Sequence, residues 1–190
     1  MPPRKTWSAF GACPPYFGGK RRLCPVIFRQ IAKIYPRDQW NRLQLVDPFL
    51  GGGSVSLYAK AVGFGVLCGD IAWRSAVIGK ALIENNQVRI CEEDIQRLFV
   101  PVESAGTFIQ EQLCPRQLTP KVGRFLDNAV AGTRQIGSPT KRALMQLLLV
   151  RYIFWLRPYS KFSAPNAFNA PFIEGRWDDI KATYRAAIKT

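Results

Sequence analysis

The sequence predicts an α/β fold built on a parallel sheet, and three neighbouring observations carry that reading. Residues 41–49, N-R-L-Q-L-V-D-P-F, form a short apolar run ending at Pro48 that reads as a buried strand. Gly51, Gly52 and Gly53 follow as a tight turn, and Ser54 is placed to cap a helix that begins S-V-S-L-Y-A-K-A. Gly63 and Gly65 break that helix, and a second apolar run, Val66 to Gly69, delivers Asp70. Strand, glycine turn, helix, strand, acid is the opening unit of a nucleotide-binding α/β sheet.

The flanking elements follow from period and composition. Pro25 to Tyr35 has amphipathic helical spacing and is led in by the loop Tyr16-Phe17-Gly18-Gly19-Lys20. Arg74 to Asn85 is helical in spacing, Glu92 to Leu98 suggests another helix, and Lys141 to Leu156 is a strong helix with an apolar stripe. Pro120 to Thr140, rich in Gly, Arg and Lys, reads as loop-prone. Arg157 to Phe172 holds three prolines and no clear period, and is expected to be an ordered loop. No internal repeat or low-complexity tract interrupts this order.

Composition narrows the function classes. With 190 residues, 47% apolar and 21% charged, the chain can bury one core, or one domain with an insertion. Its 27 basic and 13 acidic residues leave a net charge of +14, which points to a polyanionic partner. The excess is uneven: residues 115–190 carry 13 Lys or Arg against four acids, a net of +9. Histidine is absent, and the five cysteines include no C-x-x-C pair. A zinc site would need Cys13, Cys24, Cys68, Cys91 and Cys114 to converge from scattered positions, so free thiols and no metal are expected. The basic start, Met1 to Trp7, is not followed by an apolar signal core. The longest greasy stretch, Leu144 to Leu156, is too short to span a bilayer and contains Gln146 and Arg151. The expected location is a reducing cytoplasm, away from membranes.

The segment V-D-P-F-L-G-G-G-S at 46–54 is the strongest chemical signal. Glycines between a strand and a helix let a ligand approach the backbone, and the helix start offers free N–H groups. Asp70 stands 17 residues after Gly53, where its carboxylate can accept hydrogen bonds from both hydroxyls of a ribose. The glycine spacing is neither G-x-G-x-x-G nor a P-loop, which disfavours a nicotinamide cofactor and a nucleoside triphosphate. The loop Y-F-G-G-K is either a second glycine site with a lysine or a plain turn with a solvated charge. From Arg151 to Phe172, basic and aromatic residues alternate, suiting phosphate neutralisation and base stacking. Within that stretch Phe154 and Trp155 read as core, whereas Arg157, Tyr159 and Lys161 beside Pro158 read as surface contacts.

Three segments, in order, resemble one family. Y-F-G-G-K (16–20), D-P-F-L-G-G-G-S (47–54) and F-N-A-P-F (168–172) resemble the Dam-like DNA adenine-N6 methyltransferases, with their [WY]-x-G-G-K, [DE]-P-F-x-G-x-G-S and F-N-V-P-[FY]. The resemblance spans the chain, weakly between about 86 and 140. It implies a Rossmann-like methyltransferase sheet, incomplete here, with an inserted and mostly helical target-recognition domain. Residues 1–72 would be the S-adenosylmethionine-binding part, 73–172 the recognition region, and 173–190 the start of the return to the catalytic domain. The reaction implied is methyl transfer from S-adenosylmethionine to N6 of an adenine flipped out of duplex DNA. Tyr16, Phe17, Gly18, Gly19 and Lys20 would line the cofactor pocket. Pro48, Phe49, Gly51, Gly53 and Ser54 would approach the methionine part, with Asp70 on the ribose and Ile71 against the adenine. Arg157, Tyr159, Lys161, Ser163 and Asn169 would contact DNA.

The departures from the family pattern are informative. Asp70-Ile71 is followed by Ala72 where the family has Asn, and Arg157-Pro158-Tyr159 stands in place of N-G-L. Lys161 falls on a usual base-contacting Arg and lacks the bidentate fork that reads guanine. Ser163 falls on a usual Asn. The catalytic [DN]-P-P-[YFW], which would hold the adenine amino group, occurs nowhere in the 190 residues. Cys13-Pro14-Pro15-Tyr16 matches it only in letters, since a thiol cannot replace the amide or carboxylate acceptor. A truncated or split adenine methyltransferase is therefore expected, with a second chain supplying the absent part. The alternative is a non-catalytic DNA-binding protein that keeps the scaffold.

Overall fold

The computed structural model describes residues 10–14 and 16–156, with the backbone alone at Phe10, Trp155 and Leu156. Two compact units divide between Gln87 and Val88.

The first unit holds helix α1 (Cys24–Ile34), strand β1 (Gln44–Asp47), helix α2 (Ser54–Ala61), strand β2 (Gly65–Cys68) and helix α3 (Trp73–Ile78). A single π-type turn, Gly79–Glu84, continues α3. The strands pair in parallel, Gln44 with Gly65 through Asp47 with Cys68, so the β-α-β order expected from the sequence is present. The first strand is shorter than the apolar run suggests. Arg37–Arg42 winds into a 3-10 helix because Trp40 drops into the core and its indole N–H donates to the Tyr35 carbonyl at 2.9 Å.

One face of the sheet is packed. Leu45 and Val66 lie against a cluster of Cys24, Phe28, Trp40, Tyr58, Ala59 and Phe64. Its rings interlock, with Phe28 4.8 Å from Tyr58 and Trp40 4.9 Å from Phe64, distances at which aromatic pairs add to area burial. The other face is open: Val46 is 61% and Leu67 56% exposed, directly opposite each other in register. Parallel sheets are ordinarily covered on both faces, so this pair marks a face without its covering layer.

Lys60, at the end of α2, ties the π turn down. Its ammonium donates to the carbonyls of Leu82 (2.9 Å), Ile83 (2.9 Å) and Asn85 (2.5 Å), filling acceptors that a helix end leaves orphaned. Burial pushes its pKa below the usual lysine value, a cost these three bonds offset.

The second unit is helical: α4 (Glu92–Gln96), α5 (Phe108–Leu113), α6 (Pro120–Arg134) and α7 (Pro139–Leu156). Ile95, Leu98, Leu126, Ala129, Met145 and Tyr152 are among its buried residues. Here the sequence reading needs correcting, because Pro120 to Thr140 is mostly helix and not loop. Thr119 caps α6 by accepting from the Val122 N–H, and Pro120 occupies the first turn, where its missing N–H costs nothing. The glycines that suggested a loop are contact points. A methyl group on Gly123 would stand 2.5 Å from the Cys114 sulfur, and one on Gly132 3.3 Å from the Arg97 carbonyl. The short α5 carries no long apolar period and was not anticipated. Among the described residues no helix is long and apolar enough to cross a membrane.

Asp127, buried on α6, holds α5 in place. One carboxylate oxygen accepts from the Ile109 N–H at 2.8 Å, and the other from the Gln110 N–H at 3.0 Å and its side-chain amide at 3.2 Å. Replacing it strands two amides at a helix start. Asp127→Ala is expected to lower the unfolding free energy by about 2 kcal/mol or more, read from urea midpoints. A change within about 0.5 kcal/mol would show that water satisfies those amides equally well.

Candidate functional site

Three segments of the first unit meet at one place: the loop 16–20, the turn 47–53 and the acid segment 70–74. Each is shaped by its own sequence. In the first, the Gly19 N–H donates to the Tyr16 carbonyl at 3.0 Å, and Gly18 sits at φ +75°. This is a type II turn, which needs a left-handed residue at its third position. The Arg21 guanidinium reaches back to the Cys13 carbonyl (2.5 Å) and the Pro14 carbonyl (2.7 Å), fixing the chain that leads into Tyr16.

In the second, Gly51 and Gly53 have φ of +52° and +74°, where other L residues are strained. The sequence reading placed Ser54 as helix cap; instead Gly53 occupies that position, and Ser54 is the first helical residue and buried. The left-handed twist at Gly53 turns the chain into the helix without a side-chain cap. The serine that does bond the turn is Ser56, whose hydroxyl donates to Asp47 Oδ2 at 2.6 Å. Asp47 Oδ1 accepts from the Phe49 N–H at 3.3 Å, holding Pro48 and Phe49 outward.

Asp70 joins the third segment to the second. Its Oδ2 accepts from the Gly51 N–H at 2.7 Å and its Oδ1 from the Ala72 N–H at 2.8 Å. Hydrogen bonds from Ala72 and then Gly51 to the charged form hold its pKa below the usual 3.8. An ionised carboxylate offers about four lone-pair sites, so two backbone donors leave capacity for the hydroxyls of a ribose.

Tyr16 joins the first segment to the second. Its ring lies over the glycine turn, where a methyl group on Gly51 would be 3.4 Å from it and one on Gly52 only 2.6 Å from Tyr16 Cβ. Gly52 was missing from the expected set, yet it is the glycine on which the close approach depends. Its signal in the sequence was only that three glycines run together. Gly53 answers to the core instead, since a methyl group there would strike Ile78 Cγ2 at 2.8 Å.

Around this junction, large apolar side chains face outward: Phe17 is 85%, Phe49 86%, Trp73 78% and Ile71 fully exposed. Lys20 is exposed as well, while its carbonyl accepts from the Leu23 and Cys24 N–H groups and so starts α1. The sequence reading begins a helix at Arg74 and gives Trp73 no role. The expected DNA contacts Arg157, Tyr159, Lys161, Ser163 and Asn169, and the 173–190 segment, lie outside the described residues.

Two outcomes follow from this geometry. The Asp70 carboxyl is expected to titrate below 3.8 in a carbon-detected NMR experiment. The sign is that of a depressed acid: its contribution to stability is complete above the unfolded value and is lost as pH falls through the lower folded value. A midpoint above 3.8 would mean the two N–H donors do not engage it in solution. Gly52→Ala must displace Tyr16 and is expected to destabilise the chain by about 1–3 kcal/mol in chemical denaturation. An unchanged midpoint would show that Tyr16 swings clear at no cost.

Comparison with known proteins places this geometry. The family model for D12 class N6 adenine-specific DNA methyltransferases matches residues 16–153, which take in all three segments. The Type II methyltransferase M2.HphI of Haemophilus parahaemolyticus is 28% identical over 148 residues, 78% of this chain and 42% of the relative. The chain thus spans less than half the length of that curated relative. No solved structure matches. A family match over most of the chain, beginning at the very tyrosine that packs on the glycine turn, makes this chain a member of the D12 class N6 adenine-specific DNA methyltransferases.

Proposed function

We propose that the chain binds S-adenosylmethionine at the Tyr16–Gly51–Asp70 junction and serves methylation of adenine N6 in duplex DNA. The observation that carries this is the hydrogen bond from the Gly51 N–H to Asp70, because it fixes a carboxylate able to accept from a diol beside the glycine turn. The cofactor supplies a methyl group on a positively charged sulfur. Tyr16 packs on Gly51 and Gly52 and walls that side of the turn, and Asp70 accepts from the ribose hydroxyls. Phe49 and Ile71 offer apolar faces to the methionine and adenine parts, and Phe17 and Lys20 form the rim with Gly18 and Gly19. Pro48 limits the backbone before Phe49, and Ser54 begins the helix behind the turn.

The recognition role belongs to residues 73–172 on this reading, with Arg157, Tyr159, Lys161, Ser163 and Asn169 toward DNA. The +9 of residues 115–190 supports a polyanion there. The match to M2.HphI, a Type II methyltransferase, supports a place in restriction–modification. The 190 residues contain no [DN]-P-P-[YFW], so the groups that would hold the adenine amino nitrogen are not among them. The open Val46–Leu67 face supports a further helical layer packing against the sheet. That same missing motif favours a second reading, a DNA-binding scaffold without turnover.

A tritiated-methyl transfer assay with duplex DNA tests the proposal. The 190-residue chain alone is expected to bind cofactor weakly, to bind DNA with an affinity that falls steeply with salt, and to label no adenine. Robust adenine labelling by this chain would overturn the account of the missing motif. DNA binding with no cofactor heat in calorimetry, unchanged by Asp70→Ala, would favour the scaffold reading.

A further inference from the structure

We propose that Arg74 is a positioning residue that locks the cofactor loop onto the glycine turn; this rests on the cofactor reading above for its functional consequence, though not for its structural one. The three segments of the site are joined pairwise. Tyr16 packs on Gly51 and Gly52, and Gly51 donates to Asp70. The remaining side of the triangle is a cation–π contact: the Arg74 guanidinium lies 4.4 Å over the centroid of the Tyr16 ring. Asp70 accepts from the Ala72 N–H, which turns the chain into α3 two residues before Arg74 and so aims its first turn at the tyrosine.

The tyrosine is therefore held between bare glycine backbone and a cation. Without the guanidinium, the loop 16–20 is restrained near its ring by the Gly19 turn bond and by Arg21 on the carbonyls of Cys13 and Pro14. Both of those act on the backbone before or after the ring, and neither keeps the ring flat on Gly51 and Gly52. Arg74 does, and it ties the acid-bearing segment to the loop-bearing one, so that the ribose-binding carboxylate and the cofactor loop keep a fixed spacing. A lysine at this position keeps a charge that can sit over the ring but lacks the flat guanidinium.

Hydrogen–deuterium exchange and calorimetry on the full chain test the lock with two separate readouts. Arg74→Ala is expected to speed exchange at the Gly19 amide and its neighbours through Lys20 in the absence of any ligand, while Arg74→Lys leaves them close to the unsubstituted chain. With S-adenosylhomocysteine as the probe, Arg74→Ala is expected to weaken binding by about threefold to tenfold and Arg74→Lys by less. In a Tyr16→Leu background, Arg74→Ala should add nothing further to either readout. Unchanged exchange in Arg74→Ala, or equal losses in the Ala and Lys variants, overturns the proposal. If the unsubstituted chain takes up no S-adenosylhomocysteine, the cofactor reading fails, and the ligand-free exchange decides the lock by itself.

Discussion

The hydrogen bond from the Gly51 N–H to the Asp70 carboxylate is the constraint around which the first unit is arranged. Two backbone amides hold this carboxylate's pKa below its usual value, and the bond keeps the glycine turn against the second strand. The ladder feeds this contact directly: the Gly69 N–H donates to the Asp47 carbonyl, and the Leu50 N–H to the Gly69 carbonyl. The parallel pairing thus continues one step past the strands and deposits Asp70 opposite Gly51. Strand register, turn geometry and the position of the acid are consequences of one hydrogen-bonded path.

That path explains why the turn is so rich in glycine. Two of its three glycines occupy left-handed backbone, and the third has no room for a side chain because Tyr16 already fills the space. Such a turn loses more conformational freedom on folding than an ordinary loop. The aromatic cluster beneath the sheet and the Lys60 anchor on the π turn offset that loss from elsewhere in the unit. That support holds the turn, and the tyrosine packed on it, in one geometry through groups that lie outside it.

Membership of the D12 class rests on a match that covers all three segments, while the curated relative is more than twice as long as the stretch it shares with this chain. The glycine turn, its tyrosine and its acid meet in the first unit, basic charge accumulates toward residue 190, and the 190 residues hold no [DN]-P-P-[YFW].

Much of the first unit was legible in the sequence because it depends on local rules. Glycines between two apolar runs, an acid 17 residues on, and a Y-F-G-G-K loop dictate a parallel β-α-β unit with its turn and acid at adjacent ends. These features depend on backbone sterics and on strand pairing, which short spans of sequence encode. Misreadings arose where a residue's role depends on a distant neighbour. Gly123 and Gly132 looked like breakers until Cys114 and Arg97 proved to be packed against them, and Ser54 looked like a cap until Gly53 took the left-handed conformation. Gly52 and Arg74 carried no local mark, because each matters through Tyr16, more than thirty residues away in the chain. Sequence by itself determined which elements form and where the acid and glycines fall; only the tertiary structure decided which surfaces meet, because contact across the chain is set by packing and not by spacing.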